Sequence, residues 1–383
     1  MLSDLRVVEI GQVISAPYAG MVLSDLGAEV IKIEKPQGGD DARQMGPAYR
    51  DGASMLFHDI NRGKHSVVLD LKSREGRERL FELLAAADIV IQNLRPGEAK
   101  RMGIGPEELR ERFPHLVYCE LSAFGHVGPR RLEPGYEPLL QAFSGLMSTN
   151  GERERPPVRI SASVVDEGTA LWGVIGILAA IHERKRSGQG RTVQVSLLET
   201  ALAWNHQRVL GEVNEGRRSE RLGSGQAAIA PYSAFEAADG LLMLAPGNDR
   251  LFAKLAACLG HPEWAEDPRY ATNPVRLQHR TEIDQAVADV IRTRTRAEWV
   301  QRLQAAGVPV APVNSIAEAL GDPQVEAIGM LRPMPDSDAV LCGIPVSFDG
   351  ERPVAHEWAP QLGQHNVNHV PESAPPLPWG AQP

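Results

Sequence analysis

The sequence predicts an open α/β sheet, parallel and covered by helices on both faces, followed by a smaller α+β domain. Two observations predict this. Up to Leu198, short β-branched runs alternate with segments of helical period, and strands alternating with helices connect as parallel β-α-β units. Beyond Leu198 the alternation stops, and a polar stretch with Gly216, Arg217 and Arg218 precedes a second set of strands and helices.

In chain order, strands are expected at Arg6–Ile10, Glu29–Ile33, Ser66–Leu71, Asp88–Gln92, Leu116–Leu121 and Thr192–Leu197. Helical periods fill Tyr18–Leu26 and Ser73–Ala87, the latter capped by Ser73, whose hydroxyl suits an N-cap. A long apolar helix starts around Asp166 and ends on His182-Glu-Arg-Lys-Arg-Ser-Gly188. It is apolar on nearly every side, which predicts a buried helix. A helix follows at Glu199–Glu212, then a linker at Asn214–Arg221 and a Gly-rich turn at Leu222–Gln226. Strands at Pro231–Glu236 and Leu241–Ala245, with helices at Asp249–Leu259, Thr281–Thr293 and Arg296–Ala306, make the smaller domain. The expected domains are 1–198 (large), 199–225 (linker), 226–315 (small α+β) and 316–383, a return to the large domain ending in a Pro-rich, disordered tail from Pro371.

The chain has 383 residues and a net charge of −9, which argues against nucleic acid as a partner. No apolar run approaches the roughly eighteen residues of a membrane span, and the N-terminus lacks a signal sequence. The three cysteines, Cys119, Cys258 and Cys342, are far apart and fit a reducing cytoplasm. The eleven histidines are scattered, His126 and His206 among them, and read as surface or packing residues, so no metal site is expected. The turn after the first strand, Gly11-Gln-Val-Ile-Ser-Ala-Pro17, lacks the glycines of a dinucleotide-binding turn. No phosphate-binding P-loop, His-Glu-x-x-His or Gly-x-Ser-x-Gly pattern occurs.

Asp166 is the candidate for chemistry. A carboxylate at a helix N-terminus is favoured in its ionised form, and an ionised, partly desolvated carboxylate can attack an acyl group. The structural alternative is a plain N-cap.

Taken in order, the segments resemble family III CoA-transferases, the group with formyl-CoA transferase and the carnitine CoA-transferases, related to the 2-methylacyl-CoA racemases. The resemblance runs from Leu5 to Leu362. It rests on Val7-Val-Glu-Ile-Gly11, Ala16-Pro17, Leu26-Gly-Ala-Glu-Val-Ile-Lys-Ile-Glu34 and Asn61-Arg-Gly-Lys-His-Ser-Val-Val-Leu-Asp-Leu-Lys72. Further along it rests on Asn93-Leu-Arg-Pro-Gly97, Arg101-Met-Gly103, Gly135-Tyr-Glu137, the Asp166 segment, Ser187-Gly-Gln-Gly-Arg191 and Gly247-Asn-Asp249.

The resemblance implies that Asp166 attacks the thioester of an acyl-CoA, passing through an aspartyl anhydride and an aspartyl-CoA thioester before an acceptor carboxylate takes the CoA. It implies coenzyme A as substrate with no permanently bound cofactor, and a large domain that binds it. Lys35, Leu69, Lys72, Asn93, Leu94 and Arg101 match positions along the CoA arm. On the residues alone, Lys35, Lys72 and Arg101 read as solvated charges at strand or helix ends. Ile14 and Ser15 stand where formyl-CoA transferase has Gln-Ala, which weakens formyl or oxalyl chemistry. Tyr136 stands where the racemases carry a histidine, and a phenol is a poor base near neutral pH. Glu137 would orient the acyl group, or be a surface Glu. Arg43, Arg50, Arg62 and Arg159 are candidates for the second carboxylate of a dicarboxylic substrate. The Gly223–Gln226 turn matches loosely a mobile loop over the nucleophile, or is an ordinary turn. The implied quaternary form is an interlocked homodimer of ring-shaped chains. The competing functions are a 2-methylacyl-CoA racemase and a non-catalytic CoA- or NAD-binding protein; deuterium wash-in at the α-carbon without acceptor separates the first from a transferase.

Overall fold

A computed structural model describes residues 1–334, 337–353 and 357–366. The Pro-rich stretch from Pro371 lies outside the described residues. Two compact units emerge, one of Met1–Met147, Arg159–Glu215 and the chain from Gly329 onward, the other of Ser148–Val158 and Gly216–Ile328. The second unit thus reaches past residue 315, and it includes an excursion at 148–158 that no composition shift marks.

The first unit is built on six parallel strands: β1 (Arg6–Ile10), β2 (Glu29–Glu34), β3 (His65–Val68), β4 (Ile89–Gln92), β5 (Val117–Ser122) and β6 (Thr192–Ser196). Their order across the sheet is β3-β2-β1-β4-β5-β6. This is the doubly wound order, whose direction reverses between β1 and β4. Alternate side chains serve opposite faces. Val7, Ile89, Ile91, Val117 and Cys119 pack in one core cluster, while Val8, Ile10, Val90 and Tyr118 pack in the other. The second cluster is covered by α2 (Arg74–Ala85), whose N-cap Ser73 accepts from Gly76 N–H, as the sequence suggested. The first is covered by α1 (Ser15–Asp25) and, beyond the short α3 (Glu137–Phe143), by α4 (Val164–Ser187).

Three expectations fail here. Helix α4 is not buried all round: Leu171, Trp172 and Ile175 are 42%, 41% and 55% exposed. Only one face packs on the sheet, where Gly176 lets the helix backbone come so close that a Cβ would sit 2.5 Å from Val193 Cγ1. Its 24 residues are also long and apolar enough by composition to cross a bilayer, although half of its most apolar window is buried against the sheet. The sequence expectation missed this because polar flanks dilute the run. Third, the helix after β6 is two helices, α5 (Leu197–Trp204) and α6 (His206–Glu215), broken at Asn205.

The second unit holds a three-stranded antiparallel sheet of β7 (Ser233–Ala237), β8 (Gly240–Leu244) and β9 (Val310–Pro312). Helices α7 (Asp249–Leu259), α8 (Arg280–Ile291) and α9 (Arg296–Ala305) supply Phe252, Leu255, Ile283, Val287, Trp299 and Leu303 to its core. The Gly223–Gln226 turn belongs to this unit. Gly223 N–H donates to Gly151 O (3.0 Å), and Arg221 donates to carbonyls of Glu152, Arg153 and Arg155. It is anchored on the 148–158 excursion.

Candidate active site

Ligands of doubly wound sheets bind beyond the carboxyl ends of the strands, at the reversal of strand order. A cleft of about 660 Å³ lies there, lined from the ends of β1 (Gln12–Ser15), β2 (Lys35), β4 (Asn93–Pro96) and β5 (Ser122, Ala123). It contains nine of the residues singled out from sequence: Ile14, Ser15, Lys35, Lys72, Asn93, Leu94, Tyr136, Glu137 and Asp166. Leu69 and Arg101 are not on its wall. The Leu69 side chain is packed in the core under α2, since its place just past β3 turns it inward. Arg101 is exposed at the end of the short helix Glu98–Arg101. Gln12, Val13, Asp41, Arg95 and Ser122 line the cleft and escaped the sequence reading; all but Asp41, which opens the short helix Asp41–Gln44, sit at or within three residues of a strand's carboxyl end.

The β1 turn is rigid without the usual glycines. Asn93 accepts from Gln12 N–H (2.9 Å) and donates to Gln12 O (2.9 Å) and Ser15 Oγ (3.2 Å). Val13 has a left-handed φ of 70°, costly for a β-branched residue. Its N–H donates to Asp40 (3.0 Å), which in turn pairs with the fully buried Lys32 at 2.8 Å. Lys32 also pairs with Glu9 (2.7 Å) and donates to Gly11 O (2.9 Å). Burial opposes the charge on Lys32, yet Asp40 and Glu9 more than offset it and raise its pKa, while Asp40 is held below its usual range. The turn therefore stands on a buried ionic scaffold.

Asp166 is the third residue of α4, with Ser163 at the N-cap, so it is not the cap. It is half-buried, and its pKa rises from an ordinary 3.8 to about 7, first through burial and then through repulsion from Glu137 and Glu167. The expectation that the helix terminus keeps it strongly ionised is corrected. A terminus contributes about 1 kcal/mol, and burial beside two carboxylates outweighs it. The resulting group is a carboxyl that ionises near neutrality, with a high-energy, reactive anion. Glu137 is buried, not a surface residue, and accepts from Gln141. Gln141 also accepts from Ile160 N–H (2.8 Å) and donates to Ile160 O (3.1 Å), tying the segment before α4 to α3. Tyr136, 70% exposed, is the N-cap of α3 at the rim.

Lys35, Lys72 and Arg95 put three cations on the cleft wall, suited to phosphates; Lys35 is held by Asp41. The four arginines proposed for a second carboxylate fare differently. Arg43 is locked on Glu34 (2.7 Å) and Arg62 on Asp25 (2.6 Å), both buried, and Arg50 pairs with Asp338. None of the four lines the cleft. Arg159 is exposed, donating to the carbonyls of Ile160 and Ser161 just ahead of α4.

The model of CoA-transferase family III matches residues 2–366. The chain is 36% identical to the succinate–glutarate CoA-transferase of Agrobacterium fabrum, over 97% of this chain and 95% of that protein. It is 34% identical to the acetyl-CoA:oxalate CoA-transferase of Acetobacter aceti, over 97% and 95%. Among solved structures, a CaiB/BaiF family protein from Brucella suis superposes with a TM-score of 0.85 at 34% identity, covering 95% of this chain and 97% of that one.

Proposed function

This chain belongs to CoA-transferase family III and is an acyl-CoA:carboxylate CoA-transferase, and we propose that Asp166 is its nucleophile and short dicarboxylic acids its substrates. The observation that carries the reading is Asp166 itself, an ionisable, half-buried carboxyl in the cleft at the strand-order reversal. Its anion attacks the thioester carbonyl, forming an anhydride and releasing CoA thiolate. The thiolate attacks the aspartyl carbonyl, which frees the donor acid and leaves an aspartyl-CoA thioester. The acceptor carboxylate then attacks that thioester, and the steps run in reverse to the new acyl-CoA. Each intermediate conserves the thioester's energy as long as water is kept away. Lys35, Lys72 and Arg95 serve the CoA phosphates, and Asn93 and Leu94 the arm; Ile14, Ser15, Tyr136 and Glu137 border the reacting end.

Dicarboxylates are supported by the relatives, which are named for succinate, glutarate, oxalate and D-citramalate. Arg159 is off the cleft wall, but it stands just ahead of α4 and is the one of the four arginines without a carboxylate partner among the described residues, which makes it the remaining candidate of the four for the distal carboxylate. A homodimer, interlocked as the resemblance implies, is supported by apolar side chains that this chain leaves uncovered: Leu171, Trp172, Ile175, Leu202, Trp204 and Leu210. Helix α6 buries none of its residues. Three free cysteines fit the reducing cytoplasm.

The test is incubation with succinyl-, acetyl- and glutaryl-CoA against mono- and dicarboxylic acids, reading new thioesters by mass spectrometry. New dicarboxylyl-CoA species are expected. Exclusive use of monocarboxylates overturns the substrate assignment, and rapid α-deuterium wash-in without an acceptor overturns the transferase.

A further inference from the structure

Ser122 ends β5, and its side chain lines the cleft that holds Asp166. Behind it stands a relay absent from every motif read in the sequence. Ser122 Oγ lies 3.3 Å from His126 Nε2, and His126 Nδ1 lies 3.1 Å from Glu120 Oε1. Glu120 is itself fixed by Gln194 (2.6 Å) and Gln92 (3.3 Å). A fifth contact comes from the backbone, where Gly125 N–H donates to Ser122 Oγ at 3.2 Å.

A hydroxyl has two acceptor sites and one hydrogen. Gly125 fills one acceptor site. If His126 is an imidazolium, its Nε2–H fills the other, and the Ser122 hydrogen is left for an acceptor in the cleft. Burial alone would depress the pKa of His126, but Glu120, then the backbone of Val195, and more weakly Glu199 on α5, raise it above its ordinary 6.5. Glu120 is held low by the same contact. Those two carboxylates are the charged groups acting on the ring.

We propose that Ser122 donates its hydroxyl hydrogen to the acyl oxygen of the thioester attacked by Asp166, and that His126, anchored by Glu120, is the positioning residue that turns this donor into the cleft. The inference rests on Asp166 being the nucleophile. Negative charge builds on the acyl oxygen during attack, where a preset donor is most effective. Ile14 offers no side-chain donor on that wall. When His126 loses its proton, Nδ1–H stays on Glu120 and Nε2 becomes an acceptor, so Ser122 donates to the ring and the cleft loses its donor. Donation is therefore present below the His126 pKa and is lost as pH rises through it.

The test is the pH profile of transfer for the full-length protein and its variants, with succinyl-CoA as donor and glutarate as acceptor, or the pair the substrate panel selects. Ser122→Ala is expected to lower kcat/KM about a hundredfold, while an adduct on Asp166 is still trapped. His126→Gln, whose amide N–H can donate to Ser122 at any pH, is expected to stay within about tenfold of the parent near neutrality and to lack its alkaline decline. Wild-type kcat/KM in Ser122→Ala, or the same alkaline decline in a folded His126→Gln, overturns the proposal. So does an acyl group trapped on Ser122, which would make the relay a nucleophile and its base. An Asp166→Asn variant with full turnover is a different result, removing the nucleophile reading while Ser122 is judged by its own variants.

Discussion

Asp166 shows how little a helix terminus decides when burial and like charges act against it. The terminus favours the anion by about 1 kcal/mol, yet the carboxyl titrates near 7 because it is desolvated beside Glu137 and Glu167. The proposed attack by Asp166 needs its anion, so kcat/KM is expected to rise as pH increases through about 7, a limb that stopped-flow or discontinuous assays at fixed ionic strength will resolve. The same shift has a stability consequence. An acid whose pKa is raised by folding destabilises the fold as pH climbs from its unfolded value of 3.8 to its folded value. Asp166→Asn removes that penalty, so urea unfolding should show the variant more stable by about 1–2 kcal/mol at pH 8, after allowance for solvent screening, and by less at pH 5. Position 166 was legible in sequence because ordered segments on both sides fix it. Its acidity was not, since the burial of Glu137 is a product of tertiary packing.

At the scale of elements, strand periods were plain wherever β-branched residues are dense, as in β1, whose bounds agree residue for residue with the expectation. Helix α7 also agrees, between Asn248, which caps it, and Gly260. The break at Asn205 was not legible, because apolar spacing continues across it. Nor was the ionic scaffold under the β1 turn, whose members come from distant segments. Lys32 and Lys64 both pair with Glu9 at 2.7 Å, and burial lowers Lys64 to about 8 despite that partner. Gly20 in α1 makes room for this cluster, since a Cβ there would fall 2.0 Å from Glu9 Oε2. Helix propensity predicts that Gly20→Ala stabilises by about 1 kcal/mol. The scaffold predicts the opposite, a loss of at least about 2 kcal/mol as a buried ion pair is disturbed, readable as a lower denaturant midpoint with unchanged slope.

For the molecule as a whole, α4 carries two apolar faces with one sheet to cover. One face packs on the sheet, and the other, with Leu171, Trp172 and Ile175, continues onto Trp204, whose ring centroid lies 6.0 Å from that of Trp172. From sequence both faces looked like core, because hydrophobic periodicity does not say which apolar face the sheet covers. Light scattering is expected to give twice the chain mass, and Ile175→Asp or Trp172→Asp to abolish that species; a monomeric parent protein contradicts the dimer. The central claim, however, is covalent and local. Its most direct measurement is rapid quench of the protein with succinyl-CoA in the absence of acceptor, borohydride reduction, and peptide mass spectrometry. The account predicts a modified peptide spanning Asp166 that is absent in Asp166→Asn. An unmodified Asp166 peptide in protein that turns over, or undiminished turnover by Asp166→Asn, would contradict it.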